Sequence, residues 1–319
     1  MADSSLTRRR FAALALAFQP SARRAQILHN MQLVMGDWPS HPRTPVEYEV
    51  VDAQEREGCR LTLFHYVAEP GDRVPAYLLT PAESKPRMPA VVCPHSTIAI
   101  GKGEPAGLGT RANRSYAEEL ARRGYVALAP DYPNFGSYKF DPYSRGYLSA
   151  TMKGIWNHVR AVDLLVAQPE VDGRRIGAVG HSLGGHNALF LAAFDERVRA
   201  VVTSCGFTSF RRYMGGDLTG WSHRGYMPRI ASLYAKSPAL MPFDFDDVLE
   251  AIAPRAVFVN APVRDDNFDA GGVDEAVEAA QRRTRTRITV RHPDAGHDFP
   301  PDVREEAYQW LDRELGGVD

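Results

Sequence analysis

Short apolar segments alternate with segments of helical periodicity from about residue 60 to the end of the chain. Residues 90–93, Ala-Val-Val-Cys, are apolar without interruption, which is typical of a strand buried on both faces of a sheet. Residues 151–167 instead repeat apolar side chains every three or four positions, as one face of a helix does. This alternation predicts a mostly parallel central sheet with helices on both faces.

The remaining elements follow from the same pattern. Residues 60–67 and 74–80 flank a turn at Pro70, Gly71 and Asp72, so they predict an antiparallel hairpin. We predict further strands at residues 125–129, 175–179, 200–204, 256–260 and 288–292, and further helices at residues 113–123, 183–194, 273–283 and 301–315.

The stretch of residues 207–242 interrupts the alternation, because it is aromatic, glycine-rich and irregular. We expect one domain over residues 26–319, with this insertion covering the carboxyl ends of the strands, where α/β sheets bind ligands. Tyr213, Trp221 and Tyr226 in the insertion are candidates for an apolar wall or for stacking on a sugar ring. The alternative is that they pack within the insertion.

A candidate nucleophile stands between a predicted strand and a predicted helix. Residues 180–184 read Gly-His-Ser-Leu-Gly, the pattern of a sharp turn that holds a serine hydroxyl exposed. The glycines leave room for close backbone approach, and the helix amino terminus favours negative charge developing at Ser182. We therefore predict Ser182 as the nucleophile, whereas structural roles are expected for His181 and His186.

A serine hydroxyl becomes a good nucleophile only when a base accepts its proton. In α/β proteins with a serine on such a strand–helix turn, the acid follows the serine along the chain and the histidine follows the acid. His297, in the loop after the last predicted strand, is the preferred base, and His292 is its competitor. The loop after residues 256–260 offers three carboxylates, of which Asp265 is preferred over Asp266 and Asp269. The acid would hold the histidine tautomer and stabilise the imidazolium.

Two backbone N–H groups should bind the oxyanion of the reaction. Leu183, directly after the nucleophile, would supply one of them. The second would come from the loop after residues 90–93, where Thr97 is preferred and Ser96 stays open.

Composition excludes several other classes of protein. The 319 residues carry 38 Lys and Arg against 39 Asp and Glu, a net charge of −1, which argues against a nucleic-acid partner. The three cysteines lie far apart and form no metal-binding spacing, so we expect no metal and no cofactor. No apolar run is long enough for a membrane span, and the sequence leaves the oligomeric state open.

Residues 1–25 are set apart from the domain as a leader. Residues 7–11, Thr-Arg-Arg-Arg-Phe, resemble the twin-arginine export motif, and an apolar stretch and a small-residue cleavage site near Ala15 follow. This pattern predicts export to the periplasm or beyond. The alternative is an ordinary basic leader on a cytoplasmic protein.

The segments PAVVCPHST, VALAPDYPNFG and RIGAVGHSLGGHNALFLAAFDERVRAVV, with NAPVRDDNF and AGHDFP, carry a family resemblance. Over about residues 60–315 the chain resembles α/β-hydrolases of the dienelactone hydrolase and acetyl xylan esterase kind. The resemblance implies the α/β-hydrolase fold, with Ser182, Asp265 and His297 as nucleophile, acid and base. Dienelactone hydrolases carry cysteine where Ser182 stands, so ester hydrolysis is favoured over lactone chemistry.

The leading hypothesis is therefore a serine carboxylic-ester hydrolase that forms an acyl-enzyme on a small-molecule ester. Short acyl groups of the acetyl kind are expected, including those on carbohydrates, because the insertion would cover much of the pocket. The alternative is a serine peptidase or amidase of the prolyl oligopeptidase kind. A non-catalytic protein that kept the fold is the third interpretation.

Overall fold

The computed structural model describes residues 22–316. Within them, nine strands form one sheet, in the order β1-β2-β3-β5-β4-β6-β7-β8-β9 when numbered along the chain. The strands are β1 (Tyr48–Arg56), β2 (Cys59–Glu69), β3 (Asp72–Pro81), β4 (Met88–Val92), β5 (Val126–Pro130), β6 (Val171–His181), β7 (Val198–Ser204), β8 (Ala256–Asn260) and β9 (Arg287–Arg291).

Helices connect these strands. They are α1 (Ala22–Met35), α2 (Tyr116–Arg122), α3 (Ala150–Ala167), α4 (Leu183–Phe194), α5 (Arg229–Ser232), α6 (Phe245–Ile252), α7 (Ala270–Arg283) and α8 (Pro301–Leu315). Side chains of α2 and α8 pack on one face of the sheet, and those of α1, α3, α4, α6 and α7 pack on the other. The predicted arrangement of helices on both faces is confirmed.

The sheet combines two pairing modes. β1, β2 and β3 pair antiparallel, and β3 continues antiparallel onto β5. From β5 through β4 and β6 to β9 every pairing is parallel. The predicted hairpin and the mostly parallel sheet are thus confirmed. The carboxyl ends of β4, β6, β7 and β8 consequently meet at one edge of the sheet.

Some elements differ from the sequence-based expectation. β1 was not predicted, because eight of its nine residues are exposed and no alternation of burial marks it. α6 was also missed, although Asp244 and Asp247 form a capping box at its amino terminus. The helix predicted to begin at residue 113 begins at Tyr116.

The predicted leader lies largely outside the described residues, and with it the twin-arginine motif. Its last four residues, 22–25, form the first turn of α1. There Arg23 donates hydrogen bonds to Asp247 and Glu250 on α6. Among residues 22–316, no helix combines the length and the apolar character needed to cross a bilayer.

A buried ion pair fastens α3 to the antiparallel hairpin. The side chain of Lys153 is fully buried, and its Nζ lies 2.5 Å from Asp72 Oδ2 and 3.1 Å from Glu69 Oε2. Tyr138 donates to both carboxylate oxygens of Asp72, and Tyr147 donates to Glu69. Buried charges are tolerated only when they are paired and hydrogen-bonded in this way.

We predict that Lys153→Met lowers the free energy of unfolding by about 3–5 kcal/mol, since two buried carboxylates lose their cation. The control is Arg73→Gln, which removes the pair of Arg73 with Glu49, both largely exposed. The control should cost no more than about 1 kcal/mol. Urea denaturation followed by tryptophan fluorescence measures both values, and equal losses in the two variants would contradict the prediction.

Candidate active site

Ser182 occupies the turn between β6 and α4 in a strained backbone conformation. Its φ is 55° and its ψ is −120°, values that L-residues adopt at a cost of about 1–3 kcal/mol. Its amide donates a 2.8 Å hydrogen bond to the carbonyl of Ser204 at the end of β7. The turn therefore presents the Ser182 side chain at the carboxyl edge of the sheet, as the sequence pattern predicted.

The glycines beside Ser182 are required by close backbone contacts. A Cβ on Gly180 would lie 2.1 Å from the carbonyl oxygen of Gly184, and a Cβ on Gly184 would lie 2.0 Å from that of Pro94. Both distances are far inside van der Waals contact. Gly180 thus lets the end of β6 lie against the start of α4, and Gly184 lets that start lie against the loop that follows β4.

Asp265 and His297 form a hydrogen-bonded pair. His297 Nδ1 lies 3.0 Å from both carboxylate oxygens of Asp265, whose side chain is buried. Burial alone would raise the pKa of Asp265. The hydrogen bond and charge of His297 and the amides of Asn267 and Phe268 outweigh burial, so the pKa lies below its usual value. The acid is therefore held as a carboxylate that accepts from Nδ1 of His297.

The competing side chains are engaged elsewhere. Asp269 caps α7 by accepting from the amide of Gly272, and Asp266 is exposed. His292 contacts the carbonyl of Ala261 through Nδ1 and Asp274 through Nε2. Of the alternatives considered from the sequence, the structure joins only the pair preferred there.

The His297 ring contacts the turn that carries Ser182 through the ring of a neighbouring residue. It packs edge-on against the ring of His181, the residue before Ser182, with 4.8 Å between the ring centroids. On its other side it contacts Phe268, at 5.9 Å between centroids. His181 is itself buried, and its Nδ1 lies 2.9 Å from Ser204 Oγ. The structural role expected for His181 agrees with these contacts.

The loop after β4 is oriented by His95, which sequence analysis did not single out. The amide of Tyr132 donates to Nε2 of His95, so the proton of the neutral ring sits on Nδ1. Nδ1–H then donates to the carbonyl of Ser96 at 2.6 Å. Burial lowers the pKa of His95, which keeps the ring neutral. In a trans peptide the N–H of Thr97 points opposite to the Ser96 carbonyl, so His95 also fixes the direction of that N–H.

Glu104 favours Thr97 over Ser96 as the oxyanion donor, because it already accepts from the Ser96 amide. The Ser96 amide donates to the buried carboxylate of Glu104 at 3.3 Å, and the Ser96 hydroxyl bonds the same oxygen. Among the described residues, no group accepts a hydrogen bond from the amides of Thr97 and Leu183. Thr97, Leu183 and Ser182 all border the same cavity.

A cavity of about 120 Å³ opens beside Ser182. The three aromatic residues predicted in the insertion all border it, and Tyr226 OH lies 2.7 Å from Thr97 Oγ1. Tyr213 and Trp221 also pack on each other, at 5.7 Å between centroids. Both alternatives considered from the sequence, a cavity wall and packing within the insertion, therefore apply to these residues. The cavity is lined by Thr97, Ser182, Leu183, His186, Tyr213, Gly220, Trp221, Tyr226, Asn267 and Phe268.

Arg114 is a second residue that the sequence did not reveal. Its largely buried guanidinium lies 2.6 Å from Asp298 Oδ1 and donates to the carbonyl of His297 at 2.9 Å. Asn113 binds the other oxygen of Asp298. These contacts fasten the loop that carries His297, but they join positions more than 180 residues apart, which no local pattern signals.

Within residues 22–316, His181, Cys205 and His297 have potential metal-ligand atoms within 4.8 Å of one another. Each of the three side chains is hydrogen-bonded to another part of the described chain. Burial raises the pKa of the Cys205 thiol well above its usual value, and the thiol donates to the carbonyl of Asp298. His297 Nδ1 is bonded to Asp265. The described residues thus place a serine on a strained turn and a carboxylate-bound histidine at one edge of the sheet.

Comparison with known proteins places this geometry in a family. Residues 112–318 match the family described as "Prolyl oligopeptidase family". The "Putative hydrolase YtaP" of Bacillus subtilis is 27% identical over 312 residues, which cover 92% of this chain and 100% of that protein.

Solved structures share the fold. A glucuronoyl esterase from Solibacter usitatus superposes with a TM-score of 0.70 at 20% identity, over 93% of each chain. Acetyl Xylan Esterase 1 from Thermoanaerobacterium sp. gives a TM-score of 0.64 at 17% identity, over 92% of this chain and 93% of the other. The predicted α/β-hydrolase fold is confirmed.

The geometry predicts that Ser182 reacts covalently with a fluorophosphonate, because a base-activated serine displaces fluoride from phosphorus. Ser182→Ala should abolish labelling. Asp265→Asn should slow it by about 10²–10⁴-fold, because His297 loses the group that orients it. The matched control, Asp266→Asn, should label at the wild-type rate. Intact-protein mass spectrometry over time measures the rates, and a slow Asp266→Asn with a fast Asp265→Asn would refute the assignment of the acid.

Proposed function

The chain belongs to the prolyl oligopeptidase family, and within it we propose that the protein is a serine carboxylic-ester hydrolase. It acts on a small-molecule ester through Ser182, His297 and Asp265. The observation that carries the proposal is the Asp265–His297 pair at the same sheet edge as a serine on a strained strand–helix turn. Two unpaired amides beside that serine complete the set that acyl transfer requires.

In the first half of the reaction, Ser182 Oγ attacks the ester carbonyl carbon and its proton passes to Nε2 of His297. Asp265, bound to Nδ1, stabilises the imidazolium that forms. The carbonyl oxygen becomes an oxyanion and accepts from the amides of Leu183 and Thr97. His297 then protonates the leaving alcohol, the carbon–oxygen bond to it breaks, and the acyl group stays on Ser182.

In the second half, water attacks the acyl-enzyme and gives its proton to His297. The oxyanion forms again on the same two amides. The bond from the acyl carbon to Ser182 Oγ then breaks, and the proton held by His297 returns to Oγ. A carboxylic acid leaves, and the enzyme is restored without net change.

Two observations favour a short acyl group and a carbohydrate alcohol. The cavity of about 120 Å³ is much smaller than the roughly 300–1,000 Å³ of pockets for drug-sized ligands. Tyr213, Trp221 and Tyr226 offer aromatic surface at its wall. The fold neighbours named glucuronoyl esterase and acetyl xylan esterase give the proposal its direction towards esters of sugars.

A peptidase or amidase is the second candidate, favoured by the name of the family itself. The same serine, histidine and acid would then attack an amide, and His297 would protonate a leaving amine. Aminoacyl and dipeptidyl p-nitroanilides are the substrates that separate the two candidates.

We predict that the protein hydrolyses p-nitrophenyl acetate faster than the octanoate, because a small cavity excludes long acyl chains. Ser182→Ala should lower kcat by at least about 10⁴-fold. Absorbance of released p-nitrophenol across the series from acetate to octanoate measures both effects. Cleavage of a prolyl or dipeptidyl p-nitroanilide without cleavage of any ester would instead establish the peptidase.

His95→Leu should lower kcat towards p-nitrophenyl acetate by up to about 10²–10³-fold, the loss expected for one misdirected oxyanion donor. KM should change little, because His95 acts on the Ser96–Thr97 peptide and not on the ground-state ester. The control is His158→Phe, another fully buried histidine, on α3, that does not border the cavity. A raised KM with unchanged kcat in His95→Leu would contradict this positioning role.

A further inference from the structure

His186 lies in the first turn of α4, four residues after the nucleophile, and its ring forms part of the cavity wall. The ring is 5% exposed and packs against Trp221, with 4.7 Å between centroids. Tyr226 lies edge-on to it at 6.2 Å. His186 therefore has the packing role expected from the sequence, and it also borders the cavity beside Ser182.

The hydrogen bond of Nδ1 fixes the tautomer of this ring. Nδ1 lies 3.3 Å from the carbonyl oxygen of Gly206, which can only accept, so Nδ1 carries the proton. Burial lowers the pKa of His186 to about 3, so the ring is neutral near pH 7. A neutral ring protonated on Nδ1 has a lone pair on Nε2, and that nitrogen is an acceptor.

Nε2 has no hydrogen-bond partner within the described part of the chain, yet it is not fully buried. No described side chain or amide donates to it, and it is not among the fully buried polar atoms that lack a partner. It therefore keeps accessible surface on the cavity that the ring borders. The cavity-lining rings next to His186 are those of Trp221 and Tyr226, and neither donates to Nε2. A ligand that displaces water and brings no donor would therefore leave this acceptor unpaired, which costs binding free energy.

We propose that His186 determines specificity by accepting, at Nε2, a hydrogen bond from a hydroxyl group close to the ester bond of the substrate. The inference rests on the proposed esterase function and names its substrate class: esters of hydroxy acids, or monoesters of polyols and sugars. Ser182 and the amides of Leu183 and Thr97 border the same small cavity. A carbonyl bound there thus brings the neighbouring atoms of the substrate towards His186.

The hydroxyl group can lie on the acyl side or on the alcohol side of the ester, and two matched substrate pairs distinguish these sides. Methyl glycolate against methyl propanoate places a hydroxyl or a methyl group on the acyl side. The monoacetate of ethylene glycol against propyl acetate does the same on the alcohol side. Within each pair the two esters have nearly the same size. Dividing their ratio of kcat/KM by the ratio of their rates of alkaline hydrolysis removes the greater intrinsic reactivity of the hydroxylated ester, and the quotient reports the hydrogen bond.

Acid release in a pH-stat near neutral pH gives kcat/KM for the four esters. For at least one pair, the wild-type enzyme should favour the hydroxylated ester by about tenfold or more after this correction for intrinsic reactivity, as sites built around a substrate hydroxyl do. His186→Phe should bring the corrected ratio close to one, and His186→Gln, which can still offer an oxygen acceptor, should keep part of it. His158→Phe, the matched buried histidine, should retain the wild-type ratio.

The outcomes separate this inference from the proposed function. Hydrolysis of all four esters at corrected ratios near one by the wild-type enzyme would overturn the role of His186 and leave the esterase standing. A preference that persists unchanged in His186→Phe, or in His186→Leu should the first variant not fold, would assign the selectivity to another group. No hydrolysis of these esters or of p-nitrophenyl acetate would overturn both proposals.

Discussion

The turn at Ser182 is the constraint on which the site depends, because it combines a positive φ with close backbone contacts on both sides. Gly180 lets the end of β6 lie against the start of α4, and Gly184 lets that start lie against the loop that follows β4, since a Cβ at either position would overlap a carbonyl oxygen. A side chain at Gly184 would push α4 away from that loop and so separate Leu183 from Thr97, which border one cavity. The strained turn thus stands where the two proposed oxyanion donors meet, and the surrounding sheet supplies the stability that offsets its cost.

Much of the fold could be predicted because its buried strands are short and apolar throughout. β8 has the predicted bounds, as do α4 and α8. The α/β-hydrolase fold, predicted from the alternation of strands and helices and from the family resemblance, is confirmed by the family match and the solved structures. β1 escaped prediction for a physical reason: as an exposed edge strand, it is specified by backbone pairing with β2 and not by burial. The capping box of α6 was readable from Asp244 and Asp247, but the irregular stretch before it obscured the signal.

The candidate site likewise contains residues that the sequence predicted and residues that it did not. Ser182, Asp265 and His297 stand at strand ends, and the topology of a parallel sheet brings strand ends to one edge, so sequence order was informative. The groups that hold them were not predictable, because each acts through backbone of a distant segment. Arg114 reaches the carbonyl of His297, and His95 reaches the peptide before Thr97. Such contacts depend on the path of a loop in space, which has no periodicity to read.

The histidines at this edge obey one rule, in which the partner of one ring nitrogen decides what the other can do. In His297, a carboxylate on Nδ1 leaves Nε2 as the base. In His95, the carbonyl on Nδ1 and an amide on Nε2 occupy both nitrogens, so the ring can only orient a peptide. In His186, the carbonyl of Gly206 on Nδ1 leaves an acceptor facing the cavity. Burial keeps His95 and His186 neutral, so neither competes with His297 for the serine proton. In the proposed mechanism, histidine thus serves for proton transfer, for orientation of a peptide and for recognition within a single site, and the partner of Nδ1 distinguishes the three roles.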